Sequence, residues 1–295
     1  MRLTLETKAV GFAFASDDLK IAIDSSVLSM SECIYNEYSR EAEEDGSGFY
    51  REIIKKIMSN PDNYYFIKED TYKKYVSIPL CDFLKSAYIN GNNLVSATDT
   101  ANLQATGNTY GIDVSEARTY KKLKKTHKSA NVIDIIETAN RTKKPPSIIS
   151  CFFKGEIRVV IYDRYINRAS IEFIANIAKC MSKDGELVII SEFNSGITED
   201  QTSSELKKII KKTKTYTPNF KEQSDKHDRH VHLGDRLHMT FSSGIDCFGR
   251  SPQFKNSECQ ITIYHVAEHY ELKRYSVLNS KTGKTQEITT MSKKI

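Results

Sequence analysis

Apolar residues along this chain fall in short runs separated by stretches with helical spacing, the pattern of strands alternating with helices in a mainly parallel sheet. Leu19-Lys20-Ile21-Ala22-Ile23-Asp24-Ser25-Ser26-Val27-Leu28 reads as a buried strand with Asp24 at its C-terminal end. Helical patterns follow over 29–43 and 49–58, the second carrying Phe49, Ile53, Ile54, Ile57 and Met58 at helical spacing. Tyr64-Tyr65-Phe66-Ile67 is the next expected strand, and Glu69-Asp70 open a short helix. Leu80 to Ile89 form another helix carrying Asp82, Leu94 to Ala97 a strand that ends at Thr98-Asp99, and Tyr110 to Val114 a last short strand.

Beyond this the pattern changes. The stretch 128–150 predicts one amphipathic helix, with Val132, Ile133, Ile136 and Ala139 on its apolar side, ending in a basic, proline-containing linker. Gly155 to Tyr162 and Glu186 to Ser191 then read as strands. Between them Ile171, Ile174, Ile177, Ala178 and Met181 form a helical stripe, and Leu206, Ile209 and Ile210 mark a further helix with a lysine-rich outer face. His227-Asp228-Arg229-His230-Val231-His232 and Leu237 to Phe241 flank Gly234-Asp235, a dipeptide suited to a two-residue hairpin turn. Gln260 to Val266 supply a late strand, and the residues after 272 read as a polar, lysine-rich, loosely held tail. The expected organisation is two α/β domains, 1–127 and 151–272, with a helix and linker over 128–150 and a tail over 273–295.

Composition narrows the class. At 295 residues, with 39% hydrophobic and 27% charged residues, the chain matches a globular protein, and no apolar run approaches the roughly 18–20 residues that span a bilayer. Six scattered cysteines without a C-x-x-C pair point to reduced thiols and a cytoplasmic setting. The net charge of +5 is modest, but lysines cluster at 118–128 and 207–212, as a surface that tracks a phosphate backbone would have them. A solvated helix face is the commoner origin of such runs.

The strand ending at Asp24, Asp82 opening a helix, and Thr98-Asp99 ahead of Gly111-Ile112-Asp113-Val114 together resemble the PIN-like nucleases over roughly residues 17–125. The resemblance implies a parallel sheet whose C-terminal edge gathers carboxylates around one or two Mg²⁺ or Mn²⁺ ions, which activate water for attack on a phosphodiester. Asp24, Asp82 and Asp99 take the ligand positions, with Glu69, or Asp70 in a shifted register, as the fourth acid. Lys121, Lys122, Lys124 and Lys125 would guide the substrate backbone, RNA rather than DNA.

Four of the seven histidines, His227, His230, His232 and His238, lie in one short stretch. Zinc binding through His227, His230 and His232, or through His265 and His269, lacks a completing cysteine or carboxylate. Phospholipase-D-type chemistry needs His-x-Lys and an acid five residues after the lysine; here Arg229 replaces the lysine and Asp235 falls one place late, so His227 would act only across a dimer. His227-Asp228-Arg229 followed by Gly244-Ile245-Asp246-x-Phe248 resembles the phospholipase-D-like domain at the C-terminus of MIT-domain proteins, over roughly 151–270. That resemblance implies a mixed-sheet fold without the full catalytic motif and an anion-binding surface built from His227, Arg229 and Arg236. A hydrogen-bonded network that only fixes the hairpin is the competing reading.

Taken together, the residues predict a metal-dependent nuclease, in a bacterial or phage-defence setting, fused to a degenerate phospholipase-D-like module that recognises a partner or a phosphate-bearing ligand. The alternatives are a non-enzymatic binding or assembly protein and a homodimeric phosphodiesterase using His227.

Overall fold

The computed structural model describes residues 2–12, 16–24, 27–44, 48, 50, 51, 55, 59, 64–67, 69, 72, 78–90, 93–120, 132–135, 147–219, 229–242, 244–248, 259–265, 270–280 and 282–293. The chain divides into two compact α/β units, Met1–Ser129 and Ala130–Ile295. Among the described residues no helix is long and apolar enough to cross a membrane.

The first unit is built on five parallel strands in the order β3-β2-β1-β4-β5. These are β1 (Arg2–Leu5), β2 (Val27–Ser31), β3 (Tyr64–Ile67), β4 (Asn93–Ser96) and β5 (Asp113–Glu116). The central strand is the one the hydrophobic pattern missed. Arg2–Leu5 is only four residues long, yet Leu3 and Leu5 are buried and β1 pairs with both β2 and β4.

The strand expected over 19–28 is corrected to a helix, Asp17–Asp24, followed by β2. Burial shows why. Leu19 and Ala22 are buried, three residues apart on one helical face, whereas Ile21 is 56% exposed. A strand would have put Leu19, Ile21 and Ile23 on one side. The helices Glu32–Glu44 and Asp82–Asn90 and the strand β3 form where the spacing placed them. Of the helix expected over 49–58, residues 50, 51 and 55 are helical, and the apolar stripe lies outside the described residues.

The second unit holds a nine-stranded mixed sheet in the order β14-β13-β9-β8-β7-β10-β11-β12-β6. Its middle is β7 (Arg158–Tyr162), β8 (Glu186–Ile190) and β9 (Lys212–Pro218), parallel to one another, with β10 (Arg229–Leu233) antiparallel to β7 and β11 (Leu237–Phe241) antiparallel to β10. β12 (Cys259–His265) and β6 (Val132–Ile135) close one side, and β13 (Tyr270–Leu278) and β14 (Thr285–Lys293) the other.

Two expectations change here. Val132 and Ile133 lie in β6, which pairs with β12, and not in a linker helix; the helix in that region is Ser147–Phe153. The residues after 272 are not a tail but the greater part of a nine-residue-per-strand hairpin. The sheet's two faces explain the second correction. Val159, Ile161, Leu187, Ile189, Val231 and Leu233 point into a core with the helices Ser147–Phe153, Arg168–Ala178 and Glu199–Lys207. Val160, Tyr162, Val188 and Ile190 point the other way and pack with Tyr216, Tyr275 and Val277. An apolar second face must be covered, and the polar-looking hairpin β13–β14 covers it with Tyr275, Val277 and Ile288.

Candidate functional site

Register across the first sheet sets its chemistry. Leu5 pairs with Val95, and Ser96 with Glu116, so Glu6, Ser96 and Glu116 form one row across β1, β4 and β5 at the C-terminal edge. This is where the strand order reverses, the place where open parallel sheets bind ligands. Glu6 is buried and heavily hydrogen-bonded. Its Oε2 accepts Ala97 N–H at 2.7 Å, Thr98 N–H at 3.1 Å and the Ser96 hydroxyl, and its Oε1 accepts the Thr98 hydroxyl. The clamp fixes the loop leaving β4. Immediately after it, Asp99 is exposed and holds a left-handed backbone at φ 41°, a conformation that costs a non-glycine residue on the order of 1 kcal/mol and concentrates at functional sites. Asn102 Nδ2 donates to Asp99 Oδ2 at 3.0 Å.

The four predicted acids divide. Asp82 opens the helix leading into β4, and so shares the C-terminal edge with Asp99; its carboxylate accepts the Tyr72 hydroxyl. Burial, Asp82 and Cys33 all push the Tyr72 phenol far above its ordinary range. Glu69 follows the outermost strand β3, two strand spacings or about 10 Å from β1. Asp24 ends a helix that enters β2 from below, so it lies at the opposite edge. The rise of five-residue β2 separates the edges by roughly 13 Å, too far for a shared ion with ligands at ~2–2.6 Å. Among the described residues no group of three His, Cys, Asp or Glu side chains is placed to hold a metal. Asp70 lies outside the described residues. The sequence reading missed Glu6 because β1 was missed with it.

In the second unit the histidines turn inward. The hairpin turn spans Gly234, Asp235 and Arg236, one residue longer than expected, with Gly234 at φ 54°. The extra residue sends Arg236 into the core. Arg236 Nη2 lies 3.2 Å from Glu156 Oε2 and 2.7 Å from the Phe152 carbonyl, with both charged side chains at most 1% exposed. Arg236 is therefore a structural ion-pair residue and no part of an anion surface.

His230, His232 and His238 lie on the face covered by the terminal hairpin and are 3%, 0% and 0% exposed. His232 Nδ1 is 3.1 Å from the Met291 carbonyl, which only accepts, so Nδ1 carries the proton and Nε2 accepts the Tyr275 hydroxyl at 2.8 Å. Lys273 Nζ is 3.0 Å from His230 Nε2, and His230 Nδ1 is 2.9 Å from His238 Nε2. A protonated Lys273 only donates, which makes His230 pass a proton donor on to His238. The His232 and His238 rings stack at 4.4 Å. Burial, then the charges of its neighbours, push His232 well below its ordinary value; burial, then Lys273, pull His238 down to about 3. His232 and His238 are neutral, packed rings.

Arg229 and the Gly244–Asp246 segment meet around Asp163, a residue the sequence reading did not single out. Asp163, 1% exposed at the end of β7, accepts Tyr165 N–H at 3.0 Å and Ile245 N–H at 3.1 Å. Arg229 Nε lies 3.8 Å from Asp163 Oδ1. Asp246 accepts Asn167 Nδ2 at 2.9 Å, and a Cβ on Gly244 would stand 2.5 Å from Asp246 Oδ1. Burial raises the Asp163 carboxyl, against the opposing pull of its two backbone donors and Arg229. An acid directly after a buried strand was the available signal for Asp163. Arg229 thus belongs to a buried network. His227, His269 and the lysines 121, 122, 124 and 125 lie outside the described residues, as does the His265 side chain.

No protein-family model matches this chain, and no curated protein matches it.

Proposed function

We propose that the first unit is a nuclease acting on RNA at the C-terminal edge of its five-stranded sheet, and that the second unit recognises a phosphate-bearing ligand or partner. One observation carries this reading: Glu6, Ser96 and Glu116 stand in one row at the strand-order reversal, with Asp82 and the strained Asp99 at the same edge. The donors there are carboxylate and hydroxyl oxygens, the type that Mg²⁺ or Mn²⁺ takes, although no three acids are preassembled among the described residues. The exposed carboxylates of Asp99 and Glu116 would be the ones to contact such an ion, in place of the set centred on Asp24. When bound, such an ion supplies an activated water and charge stabilisation at phosphorus. Glu6 is oriented by Ser96, Ala97 and Thr98, and the same clamp sets the backbone that presents Asp99. The cytoplasmic and phage-defence setting belongs to this proposal.

A second reading, a non-enzymatic binding or assembly protein, is favoured by the saturation of Glu6, whose four accepted hydrogen bonds suffice to explain its burial. The phosphodiesterase using His227 draws no support from Arg229, which faces Asp163.

The test uses the full chain, Mn²⁺ and end-labelled single-stranded RNA. The nuclease reading expects EDTA-sensitive cleavage that Asp99→Asn abolishes and Asp24→Asn retains. Intact RNA with the wild-type protein leaves the binding reading standing.

A further inference from the structure

The lysine run at 207–212 is the charged feature that neither the fold nor the proposed site uses. Helix Glu199–Lys207 is fixed at its start by a reciprocal capping box between Thr198 and Gln201. Leu206 and Ile210 are buried at 0% and 1%, which anchors the turn between this helix and β9 against the core. Lys207, Lys208, Lys211 and Lys212 are left on the outside, all exposed. Among the described residues none of the four side chains makes a hydrogen bond or an ion pair.

The acids nearby are engaged elsewhere. Glu186, beside Lys212 in register, takes Lys214 at 2.6 Å and Arg158 at 3.1 Å, and Glu205 is paired with Arg168. Asp184 is exposed on the turn before β8, with exposed Lys183 next to it. The surplus positive charge is therefore held on a rigid turn.

We infer that this turn is a sequence-independent binding surface for the phosphate backbone of single-stranded RNA. An anionic membrane is the other common partner of clustered lysines, but membrane-surface segments add apolar side chains that enter the bilayer. Here Ile210 is buried and Ile209 half-buried; the exposed large hydrophobics among the described residues are Ile21, Leu272 and Leu278, none of them in this segment. The segment also lacks an aromatic ring for a base to stack on. Lysines without aromatics read charge and leave base identity unread, so the contact is strongly salt-dependent. This surface goes beyond the proposed nuclease site and does not depend on it.

The experiment titrates fluorescein-labelled oligouridylate with the full chain in EDTA, where metal-dependent cleavage is off, across 50–200 mM salt. Four backbone contacts give a log–log slope of about −2.8, a loss of about fifty-fold over that range. The variant K207E/K208E/K211E/K212E is expected to lose that part of the slope. A control with the same charge change on exposed lysines elsewhere, K20E/K55E/K179E/K284E, is expected to keep it. Circular dichroism shows whether both variants remain folded. An unchanged slope in the first variant, equal losses in both, or binding to phosphatidylserine vesicles without binding to RNA would overturn the inference. Failure of the nuclease reading appears separately, as uncut RNA in Mn²⁺.

Discussion

Nδ1 of His230 lies 2.9 Å from Nε2 of His238, on a face of the sheet where both rings are shut off from water by the terminal hairpin. Each ring there is matched donor to acceptor in its neutral form. A proton added to His238 would set two donors against each other, and one added to His232 would reverse its bond to Tyr275 and place a charge in a buried site.

Stability is therefore expected to fall with acid. The folded pKa values of His232 and His238 lie below the unfolded value near 6.5, so below that pH the unfolded chain binds more protons. The stabilisation is present above about pH 6.5 and is lost progressively as pH falls, for His238 down to about 3. At pH 5 the loss is on the order of 2 kcal/mol for His238, and His232 adds a loss of the same sign. Urea midpoints at pH 7 and pH 5 measure it, and His238→Gln should flatten the difference.

Deleting residues 270–295 removes Lys273, Tyr275 and Met291 from the histidine array and uncovers Tyr162, Val188 and Ile190. The shortened chain is expected to aggregate or to lose cooperative unfolding of its second unit. A soluble truncated protein with native-like near-ultraviolet dichroism would show that the hairpin is dispensable.

Arg236→Ala leaves the Glu156 carboxylate buried without its partner and should destabilise by about 3–5 kcal/mol. The double change Arg236→Met with Glu156→Gln, which removes both charges, should recover most of this in denaturant titration. RNA affinity of the folded fraction is expected to stay unchanged, since neither side chain reaches the surface.

Glu6→Ala strands the backbone donors of Ala97 and Thr98 and is expected to cost about 1–3 kcal/mol for each group left unsatisfied. Asp99→Gly releases a left-handed backbone and should be neutral or stabilising while removing the carboxylate. The pair separates folding from chemistry. A folded Asp99→Gly protein with undiminished EDTA-sensitive cleavage would place the active centre elsewhere.

Local pattern carried much of the fold. Continuous apolar runs marked β4, β7 and β8, because a strand buried on both faces needs such a stretch, and the alternating runs about Gly234 marked the hairpin of β10 and β11. Where a short run fits both periods, as in Leu19–Asp24, only the neighbour decides. Leu19 and Ala22 are buried while Ile21 is exposed, the helical and not the alternating pattern. The terminal hairpin escaped for a related reason. Its inward residues include Lys273 and Thr290, polar by composition but buried or bonded once the histidine face lies beneath them.

The candidate sites show the same division. The sequence by itself determined that acids follow strands and that histidines cluster on a hairpin, since both are properties of neighbouring residues. The tertiary structure alone decided which of them meet. Parallel pairing puts Glu6, Ser96 and Glu116 in one row and sends Asp24 to the far edge. Strand alternation turns His230 and His232 under the hairpin, and one added residue in the turn carries Arg236 inward to Glu156. Strand order and facing are set by burial across the whole sheet, a quantity that no window of sequence contains.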